Sequence, residues 1–272
     1  MPSPTLLVER DQGVVTLTMN RPHRKNAADG AMWSALLEAF REIAANPADR
    51  AVVLTGAGGD FCSGADVAGM SSRVAGADGN GDGDDVPKPH QLAGMRHIAD
   101  IAMTLYRLPQ PTVAKVRGIA AGAGLNMALL CDLVVASDNA RFSEIFARRG
   151  LTIDFGGSWA LPRRVGLHRA KELALFADII DATEADRIGL VNRVVPDGEL
   201  DGFVADWAAR LAAGPPIAIG QTKRLLNNSI GITLEQALDD EGAAQTINFT
   251  TADTAEAVSA FVEKRVPTFR GR

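Results

Sequence analysis

Hydrophobic and polar positions alternate along Val14–Met19 (VVTLTM), just after an Asp11-Gln12-Gly13 turn, and this two-residue period predicts a strand. Asp29 is then a suitable N-cap for a helix whose apolar positions Met32, Leu36, Leu37, Phe40 and Ile43 recur at helical spacing, and Asn46-Pro47 ends it. Residues 51–55 (AVVLT) form a short unbroken apolar run, the pattern of a strand covered on both faces. Residues 113–116 and 132–136 repeat that pattern, with an apolar helix between them that runs to Leu130. Two loops of small residues follow buried strands, GAGGDFCSGAD at 56–66 and GIAAGAG at 118–124. Beyond Pro196 the period changes, and helices are predicted over Leu200–Ala213, residues 217–228 and Leu234–Phe249, separated by Gly214-Pro215-Pro216 and Gly231. Strands alternating with helices predict an α/β architecture with parallel strands over residues 1–195, followed by a helical region over 196–272.

Composition narrows the partners. The chain has 272 residues and a formal charge of −5, with basic residues clustered no further than pairs, so a nucleic-acid partner is not expected. Two cysteines, Cys62 and Cys131, are too few for a disulfide framework or a four-ligand zinc site and read as small buried hydrophobes of a reducing compartment. The first residues carry no basic segment leading into an apolar one, and no run of about 18 apolar residues occurs. The expectation is a cytoplasmic chain with no membrane partner. Asp78, Asn80, Asp82 and Gly83 imitate half of a calcium loop, but Pro89 stands where the bidentate Glu belongs, so residues 71–90 read as a solvated loop.

A loop between the carboxyl end of a strand and a helix N-terminus presents unpaired N–H groups to a ligand. The two small-residue loops therefore either aim backbone donors at a shared oxygen or simply permit tight turns. Neither has dinucleotide-binding or P-loop spacing. Asn20-Arg21-Pro22 with Lys25-Asn26-Ala27, Phe61 to Asp66 (FCSGAD), Gly118 to Gly124 leading to Cys131-Asp132, Gly189 to Val195 (GLVNRVV) and Phe261 to Arg265 (FVEKR) together resemble the crotonase superfamily of enoyl-CoA hydratases and isomerases. The resemblance runs in order along almost the whole chain. It implies a spiral of ββα repeats, a C-terminal helical region that assembles a homotrimer or homohexamer, and an acyl-CoA thioester substrate. No separate cofactor is implied, since coenzyme A enters as part of the substrate.

Mapped by motif, the resemblance makes the N–H groups of Ala65 and Ala123 an oxyanion hole. It lines the CoA site with Lys25, Ala27, Ser63, Gly64 and Asp66, and brings Phe261 and Lys264 to it, as from a neighbouring subunit. The chain departs from the hydratases where they carry two glutamates, because Asn126 and Phe146 stand at those positions. Asp154 matches the aspartate of dienoyl-CoA and ring-epoxide isomerases and of a dehalogenase, and implies a base for a double-bond shift. Glu144, two residues before Phe146, is the alternative, as the acid–base group of a hydratase. A third reading is a CoA-thioester-binding homologue without catalysis. Met127 and Trp159 read as core or as walls of the acyl pocket. His23, His90, His97 and His168 are scattered, so no metal site is expected.

Overall fold

The structure, a computed structural model, describes residues 4–67 and 91–272. The acidic stretch at 71–90 lies outside the described residues. A six-stranded sheet is ordered β1 (Leu6–Asp11), β2 (Val14–Met19), β3 (Ala51–Gly56), β4 (Thr112–Val116), β6 (Leu133–Ser137) and β9 (Arg193–Val195). Only β1–β2 is antiparallel, and the remaining neighbours pair in parallel. A three-stranded sheet holds β5 (Ile119–Ala121), β7 (Arg141–Ser143) and β8 (Ile180–Asp181).

The chain passes from one sheet to the other and back. Strand β4 lies in the large sheet and β5 in the small one, a helix follows, and then β6 and β7 repeat the step. Isolated bridges Cys62↔Ala120 and Ala28↔Ala65 extend the small-sheet layer into the earlier turns. This is the ββα spiral that the resemblance implied, and it corrects one local reading. Residues 119–121 of the second small-residue loop are a strand, because Phe142 and its neighbours pair with them from 22 positions on in the Ala120↔Phe142 register.

The first predicted helix is Gly30–Ala45, capped by Asp29, whose side chain accepts from the Met32 N–H. Its five predicted apolar positions are all buried. Helix Gln91–Tyr106, which the sequence reading left without an element, buries Ile101, Ala102 and Leu105 in the same core. The other face of the large sheet is covered by helix Leu200–Ala213, where Leu200, Val204 and Ala208 pack on Val53, Val113 and Val135. The change of pattern near 196 is therefore not a break in packing, since this helix closes the core of the preceding residues. The next helices are Pro216–Asn228, Leu234–Phe249 and Ala252–Glu263. Asp132 ties β4 to that region, accepting from the Thr112 N–H at 2.7 Å and pairing with Lys223 at 2.7 Å. Among the described residues no helix is long and apolar enough to cross a membrane.

Candidate active site

The two loops converge beyond the carboxyl ends of β3 and β4. Cys62 N–H donates to the Ile119 carbonyl at 3.0 Å, and Ala121 N–H returns to the Cys62 carbonyl at 2.9 Å. Gly124 must be glycine, because a Cβ there would meet the Cys62 carbonyl oxygen at 2.3 Å. Gly64 has a left-handed φ of +99°, and a Cβ on it would lie 3.6 Å from the Ala123 nitrogen. The segments carrying Ala65 and Ala123 are thus in direct contact.

Both N–H groups are left unused by their own elements, for separate reasons. The Ala28↔Ala65 bridge uses the Gly64 carbonyl, which accepts from Ala28 N–H at 2.8 Å, and the Asp66 N–H, which donates to the Ala28 carbonyl at 2.9 Å. In parallel pairing the intervening residue turns its own N–H the other way. Ala123 opens helix Ala123–Leu130, so its N–H has no partner within the helix. Two such donors on adjoining segments have the chemistry that a developing negative oxygen requires.

The residues assigned to the CoA site also come together. Ser63 N–H donates to the Lys25 carbonyl at 3.0 Å, and Ala27 is buried beside the bridge. Lys25 is exposed, leaving its ammonium available to an anionic group. Two residues of this loop that the sequence reading did not select prove to be its anchors. Asn26 is fully buried and donates to the carbonyls of Ala57 and Asp60 at 2.8 and 2.7 Å. Arg21 pairs with Asp66 at 2.9 Å and with Asp29 at 3.3 Å, so the Asp66 carboxylate is engaged in holding the loop. Their place in the Asn20-Arg21-Pro22 and Lys25-Asn26-Ala27 motifs was the available signal.

Asp154 lies in the turn before helix Gly157–Val165. Its loop is held by the buried Phe155, whose ring stacks on Trp33 at 5.4 Å, and by Gly157 N–H donating to the Asp154 carbonyl at 2.9 Å. Asn126, one turn along the helix from Ala123, donates through Nδ2 to that same carbonyl at 3.0 Å and to Glu144 Oε2 at 3.4 Å. Glu144 follows β7 directly, and is brought beside Gly122 because Gly122 N–H donates to the Ser143 carbonyl at 2.9 Å. Glu144 therefore belongs to the same cluster as Asp154 and Asn126. Burial pushes its carboxyl up to about 8, with the Asp154 charge adding to the effect and the Asn126 bond opposing it. Burial likewise raises Asp154 to about 6.

Phe146 sets its ring against Gly122, 3.6 Å from where a Cβ would stand, and so forms an apolar wall next to the Ala123 donor. Met127 is buried core, but Trp159 is not. It is 39% exposed, edge-on to Tyr106 at 5.2 Å, with Arg163 over its ring at 4.2 Å. Phe261 is 85% exposed on the last helix, and Lys264 caps that helix in a left-handed conformation, also exposed. Among the described residues neither is joined to the loops above by a hydrogen bond or ion pair within the single chain. Cys62 and Cys131 are free and buried, and burial pushes both thiols up to about 12, which makes them inert. Among the described residues no group of three His, Cys, Asp or Glu side chains is placed to hold a metal ion.

The sequence model of the enoyl-CoA hydratase/isomerase family matches residues 9–272. The chain belongs to this family. As an enoyl-CoA hydratase/isomerase family enzyme it is 38% identical to a probable enoyl-CoA hydratase of Rhodobacter capsulatus, over 98% of both chains. It is 35% identical, again over 98% of both, to the 1,2-epoxyphenylacetyl-CoA isomerase of Escherichia coli K12. Among solved structures, a putative enoyl-CoA hydratase of Streptomyces coelicolor A3(2) superposes with a TM-score of 0.90 at 35% identity, covering all of this chain and 97% of that one. Relatives of this family enzyme thus carry both hydratase and isomerase names.

Proposed function

We propose that this chain shifts a carbon–carbon double bond in an enoyl-CoA thioester. Ala65 and Ala123 N–H groups hold the thioester oxygen, and Asp154 takes a proton from one carbon and returns it to another. The proton is the only group that moves: the C–H electrons form the dienolate, the negative charge collects on the oxygen, and reprotonation at the far carbon completes the shift. The observation that carries the reading is the placing of Asp154, a half-buried residue whose backbone carbonyl is held at 3.0 Å by Asn126, itself one helical turn from the Ala123 donor; burial raises its carboxyl to about 6, which suits a base that must accept a proton. Asn126 and Phe146 have no acid–base chemistry to offer in place of the two hydratase glutamates.

Lys25, Ala27, Ser63, Gly64 and the Asp66 loop would receive the CoA moiety. Phe261 and Lys264 would reach the site of a neighbouring copy in a homotrimer or homohexamer, a reading supported by exposed apolar side chains such as Leu226, Leu234, Phe249 and Val262 on the C-terminal helices. Light scattering would give the assembly size.

A hydratase using Glu144 is the second reading, favoured by the position of Glu144 against Asn126 in the same cluster. Incubation with 2-enoyl, 3-enoyl and dienoyl thioesters in deuterated water separates the two. Double-bond migration and deuterium uptake should fall about 10²–10⁴-fold in Asp154→Asn. A 3-hydroxyacyl product that persists in Asp154→Asn and is lost in Glu144→Gln would replace the isomerase with the hydratase.

A further inference from the structure

We propose that Glu144 is a positioning residue that acts as a neutral carboxylic acid, carrying the one proton of a two-carboxylate cluster so that Asp154 is its single charged member. This deepens the isomerase reading and rests on it. Donors and acceptors in the cluster do not balance without that proton. Asn126 supplies one amide nitrogen, and both of its protons are used, on Glu144 Oε2 at 3.4 Å and on the Asp154 carbonyl at 3.0 Å. Glu144 Oε1, Asn126 Oδ1 and Asp154 Oδ1 are each buried without a hydrogen-bond partner among the described residues. Among the described residues these three oxygens, on residues linked through Asn126, have no donor, and buried acceptors of this kind are costly.

No cation relieves the imbalance. Among the described residues Glu144 forms no ion pair, and the charged group that bears on it is Asp154, a like charge. The Asn126 amide fills the space over Gly157 that a Cβ would occupy, within 2.4 Å of where that atom would stand, so only glycine there admits it. Two ionised carboxylates this close in a poorly solvated cluster are disfavoured, and a single proton turns the orphaned Glu144 oxygen into a donor. The choice between them is geometric. Glu144 is 1% exposed, whereas Asp154 keeps part of its surface open. The charge therefore belongs on Asp154 and the proton on Glu144, and the direction in which burial moves the two carboxyls agrees.

The proton stays on Glu144 through the cycle while Asp154 abstracts and returns the substrate proton. If Glu144 ionises, it sets a second negative charge beside Asp154 and the forming enolate, and turnover falls. Infrared difference spectra of the full-length protein at pH 7 should contain a protonated-carboxyl C=O band that is absent from Glu144→Gln, persists in Asp154→Asn, and disappears as pH rises through about 8. Absence of the band from the native protein, or its loss in Asp154→Asn instead, overturns the proposal. In deuterium exchange of an enoyl thioester, the native pH profile should fall on its alkaline side, and the Glu144→Gln profile should lack that fall whatever its amplitude. An unchanged alkaline fall in Glu144→Gln also overturns it. Failure of the isomerase reading is separately visible: exchange that survives in Asp154→Asn refutes Asp154 as the base, while the infrared band still reports where the proton sits.

Discussion

Replacing Glu144 by Gln should make the folded chain more stable, and the gain should depend on pH. Burial raises this carboxyl from 4.5 to about 8 in the folded state, so between those two values the folded chain keeps a proton that the unfolded chain has released. Stability therefore falls as pH rises through that window, since the native state is the one binding more protons. The full displacement corresponds to about 5 kcal/mol above pH 8, about 3 kcal/mol at pH 7 and under about 1 kcal/mol at pH 5, as upper bounds before local relaxation. Gln is neutral throughout and nearly isosteric. Its carbonyl can accept from Asn126 Nδ2, and its amide can donate to the orphaned oxygens of Asn126 or Asp154. Urea denaturation of the native protein and Glu144→Gln at pH 5, 7 and 8.5, at fixed protein concentration, reads the difference directly. The variant should gain little at pH 5 and about 2–4 kcal/mol at pH 8.5. A gap that does not vary with pH, or a variant less stable at every pH, refutes the reasoning.

Three further predictions concern the same region. Because the base must be ionised, kcat/KM for double-bond migration should rise with pH through about 6 and hold near pH 7 before the alkaline fall set by Glu144, and a flat profile between pH 5 and 7 would remove Asp154 from that role. Gly124→Ala should lower kcat/KM about 10²–10³-fold and cost about 1–3 kcal/mol in stability, because its methyl would push the Cys62 carbonyl and the Ala123 donor apart; near-native activity and melting temperature would contradict that packing. Arg21→Ala, which breaks a pair with Asp66 whose side chains are only 14% and 15% exposed, should raise KM for the thioester more than it lowers kcat, and steady-state kinetics would expose the opposite split.

Much of the architecture was legible because it depends on local period and caps. The Asp29 cap and the bounds of Leu200–Ala213 and Leu234–Phe249 agree with the sequence reading residue for residue. Strand β3 was recognised as covered on both faces, but the element that covers one of them, helix Leu200–Ala213, had been grouped with a separate helical region. Its amphipathic pattern says that one face is buried and is silent about the partner. Residues 119–121 read as loop because three small residues have no period of their own, and they become a strand through pairing with β7.

By itself the sequence determined the strands β2, β3, β4 and β6, the helices with a clear period, the two small-residue loops, and the absence of glutamates at positions 126 and 146, since these are properties of neighbouring residues and of identity. Only the tertiary structure decided that the segments carrying Ala65 and Ala123 meet, and that Asn126 bridges Glu144 and the backbone of Asp154. The physical reason is that donor balance and burial are properties of groups meeting across 18 to 28 residues of chain, and a carboxyl changes from a solvated charge to a buried acid only once those groups have closed around it.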